Sequence, residues 1–301
     1  MKRVLVLMSV YNGAEFIKQQ IDSILNQIDV EVNLLIRDDC SKDKSLELLQ
    51  GYSQEKLEIV SGENLGFAES FSLLLKMALE KPQYDYYAFA DQDDVWLPNK
   101  LISAISKLSE VDSEELPCGY CSNSTLVDSE LNYMRFMHNE KVILSKERAL
   151  LQNVATGCTM VFNYAAVNYY VNYRPSTIKV HDYLMYLICI YMGRFIYDPD
   201  SYIKYRQHAN NQIGSKKWFS RMKRRFSRFG QSDGYFVTQN KDFLEAYKSL
   251  LSVEDILKIS YLCNYKNNFS SKLSLLFNRK YKYDSLEFNV FLCLKILFGK
   301  L

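Results

Sequence analysis

Over the first 110 residues, β-branched or leucine-rich runs alternate with segments of helical periodicity, and this alternation restricts the fold more than any other feature of the chain. Arg3–Met8, Glu31–Arg37, Leu57–Val60 and Tyr84–Ala90 are apolar runs of strand length. Between the first two, Ala14–Gln27 carries Phe16, Ile17, Ile21, Ile24 and Leu25 at helical spacing. Ser41 offers a cap for a helix over Lys44–Gln50, and Asn64-Leu65-Gly66-Phe67 leads into a helix ending at Leu79. Pro98 stands as a first-turn proline for a helix over Asn99–Leu108. Such alternation predicts the α/β class with a mainly parallel sheet. Parallel neighbours need a crossover, and the crossover helices cover both faces.

Ligands of parallel sheets bind at the carboxyl ends of the strands. Three polar clusters fall there: Ser9-Val10-Tyr11-Asn12, Asp38-Asp39-Cys40-Ser41 and Asp91-Gln92-Asp93-Asp94. The last holds three carboxylates in four residues. Crowded carboxylates repel one another, and a divalent cation relieves the repulsion; oxygen-only ligands suit Mg²⁺ or Mn²⁺ better than zinc. The alternative is a plain acidic turn before the helix that follows Trp96-Leu97-Pro98. Neither GxGxxG nor GxxxxGK[ST] occurs, which argues against a dinucleotide fold or a P-loop. A nucleotide held here is gripped by side chains and a metal.

The 301 residues, 48% hydrophobic and 24% charged, suffice for one large domain or two small ones. No signal-peptide core and no run long enough for a membrane span is present, so the expected location is cytoplasmic. Seven scattered cysteines agree with that; Cys118 and Cys121 have zinc-like spacing but no second pair to complete a site. The net charge of +2 hides an asymmetry: residues 1–214 carry 20 Lys+Arg against 28 Asp+Glu, and residues 215–301 carry 17 against 7. Two zones of opposite sign suggest two functions.

Four motifs in order, Val6–Asn12, Arg37–Asp43, Asn64-Leu65-Gly66 and Asp91–Asp94, resemble the family 2 glycosyltransferases of the GT-A fold, a Rossmann-like sheet flanked by helices. The resemblance continues through Ala155-Thr156-Gly157-Cys158-Thr159, His181-Asp182 and Tyr205–Asn211, and the Asp-Gln-Asp-Asp, His-Asp and Tyr-Arg-Gln-His forms look most like the bacterial rhamnosyltransferase branch. It covers residues 1–212, implying a catalytic domain with a nucleotide-sugar half over 1–110 and an acceptor half over 111–212, followed by a helical extension over 213–301.

The resemblance implies a metal-dependent, inverting transfer from a nucleotide-diphospho-sugar, dTDP- or UDP-linked, to a growing cell-surface glycan or a polyprenyl-linked acceptor. Asp93 and Asp91 are the implied Mn²⁺ or Mg²⁺ ligands, with Asp94 orienting them. Ser9, Tyr11, Asn12, Asp39, Asp91, Gln92, Arg206 and His208 are the implied donor contacts, Asp39 accepting N3–H of uracil or thymine and Arg206 or His208 reaching the diphosphate. Asp182 is the implied base that deprotonates the acceptor hydroxyl; Thr156, Gly157, Cys158 and His181 are placed near the acceptor. L-Rhamnose from dTDP-β-L-rhamnose is the expected donor, with UDP-glucose or UDP-galactose as the alternative and a non-catalytic, transferase-like scaffold as a more distant one. A haloacid-type phosphatase also places Asp-x-Asp after a strand, but after its first strand rather than its fourth.

Lys216–Arg228 holds seven basic residues and no acid, and Trp218, Met222, Phe226 and Phe229 recur at near-helical spacing. A basic amphipathic helix of this kind suits an anionic membrane surface, which would put the protein peripherally on the inner face of the cell membrane. Packing on the catalytic domain, or on a second subunit of a homodimer, is the alternative; nucleic acid is not expected as a partner.

Overall fold

In the computed structural model, which describes residues 1–139, 141–207, 234–267, 269–282 and 286–301, the alternation is realised strand by strand. The first half runs β1 (Lys2–Val10), α1 (Ile17–Leu25), β2 (Val30–Asp38), α2 (Ser45–Gln50), β3 (Leu57–Ser61), α3 (Phe67–Leu79) and β4 (Tyr86–Ala90). β5 (Val95–Trp96), α4 (Lys100–Ser109), β6 (Cys118–Val127), β7 (Tyr133–Phe136), α5 (Lys146–Ala149), β8 (Val161–Phe162), α6 (Tyr164–Tyr173), α7 (His181–Met192) and β9 (Arg194–Arg206) follow.

The strands form one sheet in the order β3-β2-β1-β4-β8-β6-β9-β5, with β7 pairing to β6. β3, β2, β1 and β4 are mutually parallel, as expected from the first half. The second half differs. β6 and β9 are parallel, but β8 joins β4 and β6 antiparallel, and β5 and β7 are antiparallel partners of β9 and β6. The short strands β5 and β8 have two residues each, too few to announce themselves by periodicity.

β1 is buried on both faces. Val4, Val6 and Met8 pack with Ile17, Ile21 and Ile24 of α1 and Leu101, Ala104 and Leu108 of α4 in one core. On the same strand Leu5 and Leu7 are buried too, and α3 packs against β1 with Phe71, Leu74 and Leu75 buried. Each such aliphatic side chain contributes about 1.5–3 kcal/mol. One helix start falls later than the sequence indicates, where the preceding residues have other work. α2 begins at Ser45 with Lys44 in the cap position, not at Ser41, because the Ser41 hydroxyl accepts from Asn12 N at 3.0 Å. α3 runs over Phe67–Leu79 as the sequence indicates, and ahead of it Leu65 N and Gly66 N donate to the Asp39 carboxylate at 2.8 and 2.9 Å. Gly66 has φ 77°, a conformation that costs any L side chain.

The chain divides into two compact units: Met1–Asn139 with Ala155–Arg174 and Ile178–Arg206, and Glu140–Val154 with Pro175–Thr177 and Gln207–Leu301. Residues 140–154, read from the sequence as acceptor half, thus belong with the C-terminal unit. That unit is helical, with Tyr235–Tyr247, Val253–Cys263, Phe269–Phe277 and Leu286–Leu297. Ser252 caps the second of these by accepting from Asp255 N, and Lys146 pairs with Asp255 at 2.8 Å. His208, the boundary placed at 212 and the basic stretch 216–229 lie outside the described residues. No helix among the described residues is long and apolar enough to cross a membrane.

Candidate active site

The pairing register brings the three polar clusters to one sheet edge. Val10 is level with Asp38, and Met8 with Ala90, so Tyr11, Asp39 and Asp91 follow directly beyond three adjacent strand ends. The chain moves outward from β1 through β2 to β3, then returns to the other side of β1 as β4. This is the switch point where open parallel sheets place their ligands.

On the β1–β2 side most polar groups hold loops to one another. Ser9 Oγ donates to Ser70 Oγ at 2.7 Å. Asn12 Oδ1 accepts from Lys42 N at 2.8 Å. Gln92 Nε2 donates to the Tyr11 carbonyl at 3.1 Å while its Oε1 accepts from Tyr11 N at 2.8 Å, so its amide clamps the β1 loop to the acid loop. Asp39 is 2% exposed and takes the Arg37 guanidinium and the two backbone N–H groups of Leu65 and Gly66. These bonds make it a brace for the loop of Asn64, Leu65 and Gly66. Beside it Asp38 Oδ1 is buried with no partner among the described residues. The Tyr11 side, by contrast, is open: that residue is 45% exposed.

The acid loop is electrostatically crowded. Asp91 is pushed up to about 7, first by burial and then by the charges of Asp93 and Asp182. Asp94 is fully buried and also pushed up, by burial and by Asp93 and Asp91. Ligand atoms of Asp91, Asp94 and Cys158 lie within 4.8 Å of one another. The converging set therefore includes Asp94, which the sequence reading kept behind Asp91 and Asp93. Burial and then the charges of Asp94 and Asp91 push the Cys158 thiol up. The Tyr205 hydroxyl, raised by burial and then by Cys158 and the three acids, is a further group at this spot that the sequence did not single out.

Arg206 reaches the same loop because its residue ends β9 level with Val127. Its N donates to Asp94 Oδ1 at 3.1 Å and its Nε to the Asp93 carbonyl at 2.8 Å. Its two terminal nitrogens bind the Ser129 carbonyl and Gln19 Oε1, and the guanidinium lies 4.4 Å from the Phe16 ring centroid. At 2% exposure this arginine is a brace under the loop; a diphosphate contact would require it to give up those bonds.

Opposite stands the turn Gly157–Thr159 against the first turn of α7. Gly157 N donates to Asp182 Oδ2 at 2.8 Å. A β-carbon on Gly157 would come 3.2 Å from His181 Nε2 and 3.3 Å from Asp182 Oδ2, which explains the glycine by close approach. Thr156 supplies the carbonyl that accepts from Thr159 N and Oγ1. His181 is 5% exposed, stacked on Phe71 at 3.9 Å between ring centroids and edge-on to Phe89 at 4.8 Å. Neither of its nitrogens has a partner among the described residues, and burial lowers its pKa to about 3. The imidazole is neutral and does not hydrogen-bond Asp182. Since Asp182 raises Asp91, the two carboxylates share one site although they are far apart in the chain.

With this geometry in hand, the glycosyl transferase family 2 model matches residues 5–168. The chain belongs to glycosyltransferase family 2. It is similar to the dTDP-rhamnosyl transferase RfbG of Shigella flexneri, 27% identical over 240 residues, covering 74% of this chain and 78% of the relative. It is also similar to the Escherichia coli UDP-Glc:alpha-D-GlcNAc-diphosphoundecaprenol beta-1,3-glucosyltransferase WfgD, 26% identical over 267 residues, covering 87% and 91%. Among solved structures, S. aureus TarS 1–349 in complex with UDP-GlcNAc superposes with a TM-score of 0.58 at 15% identity, over 99% of this chain and 80% of that one. The fold of this glycosyltransferase is therefore GT-A, as its motifs implied.

Proposed function

We propose that this glycosyltransferase moves a sugar from a nucleotide-diphospho-sugar to an acceptor hydroxyl in a single inverting displacement. The observation that carries the reading is that the turn Gly157–Thr159 joins Asp182 to the acid loop: Gly157 N donates to Asp182 Oδ2 at 2.8 Å, and ligand atoms of Cys158, Asp91 and Asp94 lie within 4.8 Å of one another. Asp182 takes the acceptor proton as the new C–O bond forms, and the donor's diphosphate leaves on the side of Asp91 and Asp93. No enzyme nucleophile enters, so the anomeric configuration inverts. Tyr11, open to solvent, stacks on the nucleobase, and Asp39 holds the Asn64-Leu65-Gly66 loop that borders it.

The residues fit a divalent cation. Asp91 stands high through burial and then through the charges of Asp93 and Asp182, a crowding that a bound cation would relieve, and the carboxylates offer oxygen ligands. Asp91 and Asp93 would hold Mn²⁺ or Mg²⁺, which when bound supplies positive charge to the departing diphosphate. Thr156, Gly157 and Cys158 form the wall behind Asp182, and the acceptor, a cell-surface or lipid-linked glycan, meets it there. The favoured donor is dTDP-β-L-rhamnose, supported by the likeness to RfbG and by the His-Asp and Tyr-Arg-Gln-His forms. UDP-glucose is the second reading, supported by the higher coverage of WfgD.

The deciding experiment incubates the purified full chain with dTDP-β-L-rhamnose, UDP-glucose or UDP-galactose, each with Mn²⁺ and with EDTA. Release of dTDP only from the rhamnose donor and only with metal supports the reading. Equal turnover in EDTA removes the metal from it, and turnover of UDP-glucose alone replaces the donor.

A further inference from the structure

In the C-terminal unit two packed helices turn apolar side chains outward. On the helix Phe269–Phe277, Phe269, Leu273 and Phe277 recur every fourth residue and so share one face. All three are exposed, Phe269 by 75% and Phe277 by 79%, whereas Leu275 on the other side is fully buried. A surface helix normally buries its apolar stripe and shows a polar one, and here an apolar stripe stands in water. The helix Leu286–Leu297 packs against it and does the same. Val290 and Leu297 lie on one of its faces and are exposed, and Phe298 just beyond its end is 65% exposed. Lys272 Nζ donates to the Leu297 carbonyl at 3.1 Å, which ties the flank of the first stripe to the end of the second. Single apolar residues on a surface are ordinary, but a contiguous set marks a contact.

The surroundings of this set are basic. From Asn264 to Leu301 the chain carries seven Lys+Arg and two acids. Exposed Lys266 precedes the first stripe, and exposed Arg279 and Lys280 follow it. The Lys266 stem also lies against Gly299, 3.6 Å from where a β-carbon would stand, which puts it beside the residue after Phe298. The stripe therefore has positive charge at both ends. Rings as exposed as Phe269 and Phe277 project as tips rather than line a groove. A fluid acyl phase moulds itself to tips, while a folded partner must carry a matching pocket for each. Charge disfavours a second copy, because a two-fold contact through this face brings bases against bases. The rise from Phe269 to Phe277 is about 12 Å, far short of a bilayer and suited to lying in its surface.

We propose that the face of Phe269, Leu273, Phe277, Leu297 and Phe298 docks on an anionic membrane. The apolar side chains enter the acyl boundary, and Lys266, Arg279 and Lys280 meet lipid phosphates. This surface is separate from the basic stretch 216–229, and it does not depend on the reading of the reaction. A chain held there meets a lipid-linked acceptor by diffusion in the plane of the same bilayer.

The test is co-sedimentation of the purified full chain with vesicles of phosphatidylcholine alone and of phosphatidylcholine mixed with phosphatidylglycerol, at low and high salt. Wild type should bind mixed vesicles at least about tenfold more tightly than neutral ones, and should lose that excess in high salt. Phe269→Ser with Phe277→Ser should weaken binding to mixed vesicles by about tenfold or more, and Arg279→Gln with Lys280→Gln by about tenfold. Urea unfolding checks that both variants fold. Phe277→Trp keeps the apolar bulk and gives a reading that needs no loss of binding: the fluorescence it adds should be quenched by brominated acyl chains. Failure of wild type to bind mixed vesicles overturns the proposal, as does equal binding to neutral ones. Full binding by the double Phe variant, which would put the contact elsewhere on the chain, also overturns it, as does an added Phe277→Trp signal that brominated lipid leaves unchanged. A wild-type dimer that the double Phe variant converts to a monomer in light scattering, without vesicle binding, assigns the face to a second copy instead.

Discussion

His181 should make this protein lose stability in mild acid, by an amount its surroundings fix. The imidazole is enclosed by Phe71 and Phe89, with neither nitrogen bonded among the described residues, and its pKa falls from 6.5 to about 3. Between those values the unfolded chain binds a proton at this position and the native chain does not. Stability therefore rises with pH across the window and falls as pH drops below 6.5. At pH 5.5 the loss from this residue is about 1.4 kcal/mol, and it grows by about 1.4 kcal/mol for each further unit until the native group titrates. His181→Leu removes the titration while keeping a similar volume, and it deletes two unpaired buried nitrogens. Urea unfolding of wild type and variant, followed by circular dichroism at pH 7.5 and 5.5, isolates the difference, since the other titrating groups are common to both. The wild type should lose about 1.4 kcal/mol more than the variant over that interval. Equal losses would mean that the native imidazole finds a partner or accepts a proton, and the reasoning from its aromatic enclosure would be wrong.

Three other substitutions probe the two sides of the site. Asp182→Asn should lower kcat by about 10²–10⁴-fold with the donor Kd unchanged, because it removes proton acceptance and keeps the group that accepts from Gly157 N; near-normal turnover would sink the base assignment. Gly157→Ala puts a β-carbon 3.2 Å from His181 Nε2 and 3.3 Å from Asp182 Oδ2. It should lower kcat about tenfold and cost about 1–3 kcal/mol in urea unfolding, and a fully active, stable variant would show that the turn yields freely. Arg206→Ala leaves the Asp93 and Ser129 carbonyls and Gln19 Oε1 without their common donor. It should cost about 3 kcal/mol in stability with or without donor present; a stable variant with only donor Kd raised would return Arg206 to the diphosphate.

The first-half fold was legible because its signals are local. Strand runs such as Val4–Val10 are apolar on both faces, helices such as α1 repeat at Ile17, Ile21 and Ile24, and the polar clusters stand where each run ends. The second half was less so. β5 and β8 are held by neighbours rather than by their own two residues, and β9 enters the sheet between β6 and β5 from a position beyond α7. Residues 140–154 group with the C-terminal helices through contacts such as Lys146 with Asp255, which no composition change marks.

For the site, residue type and order were enough to nominate Asp91, Asp93 and Asp182, since carboxylates after strands and at a helix start are rare in combination and their chemistry is general. What each polar group is free to do depends on its neighbours in space. Asp39, Gln92 and Arg206 carry the right functional groups for a donor site, yet here their hydrogen bonds hold loops together. Cys158 and Asp94 say nothing singly, and become one buried cluster only when β4 and the turn before β8 are packed. Periodicity and strand-end chemistry reside in the chain, whereas desolvation and pairing arise from distances between residues as much as 187 positions apart, as Arg206 and Gln19 are. The sequence therefore named the reaction's two sides, and folding assigned which side chains face the reactants and which hold the loops beneath them.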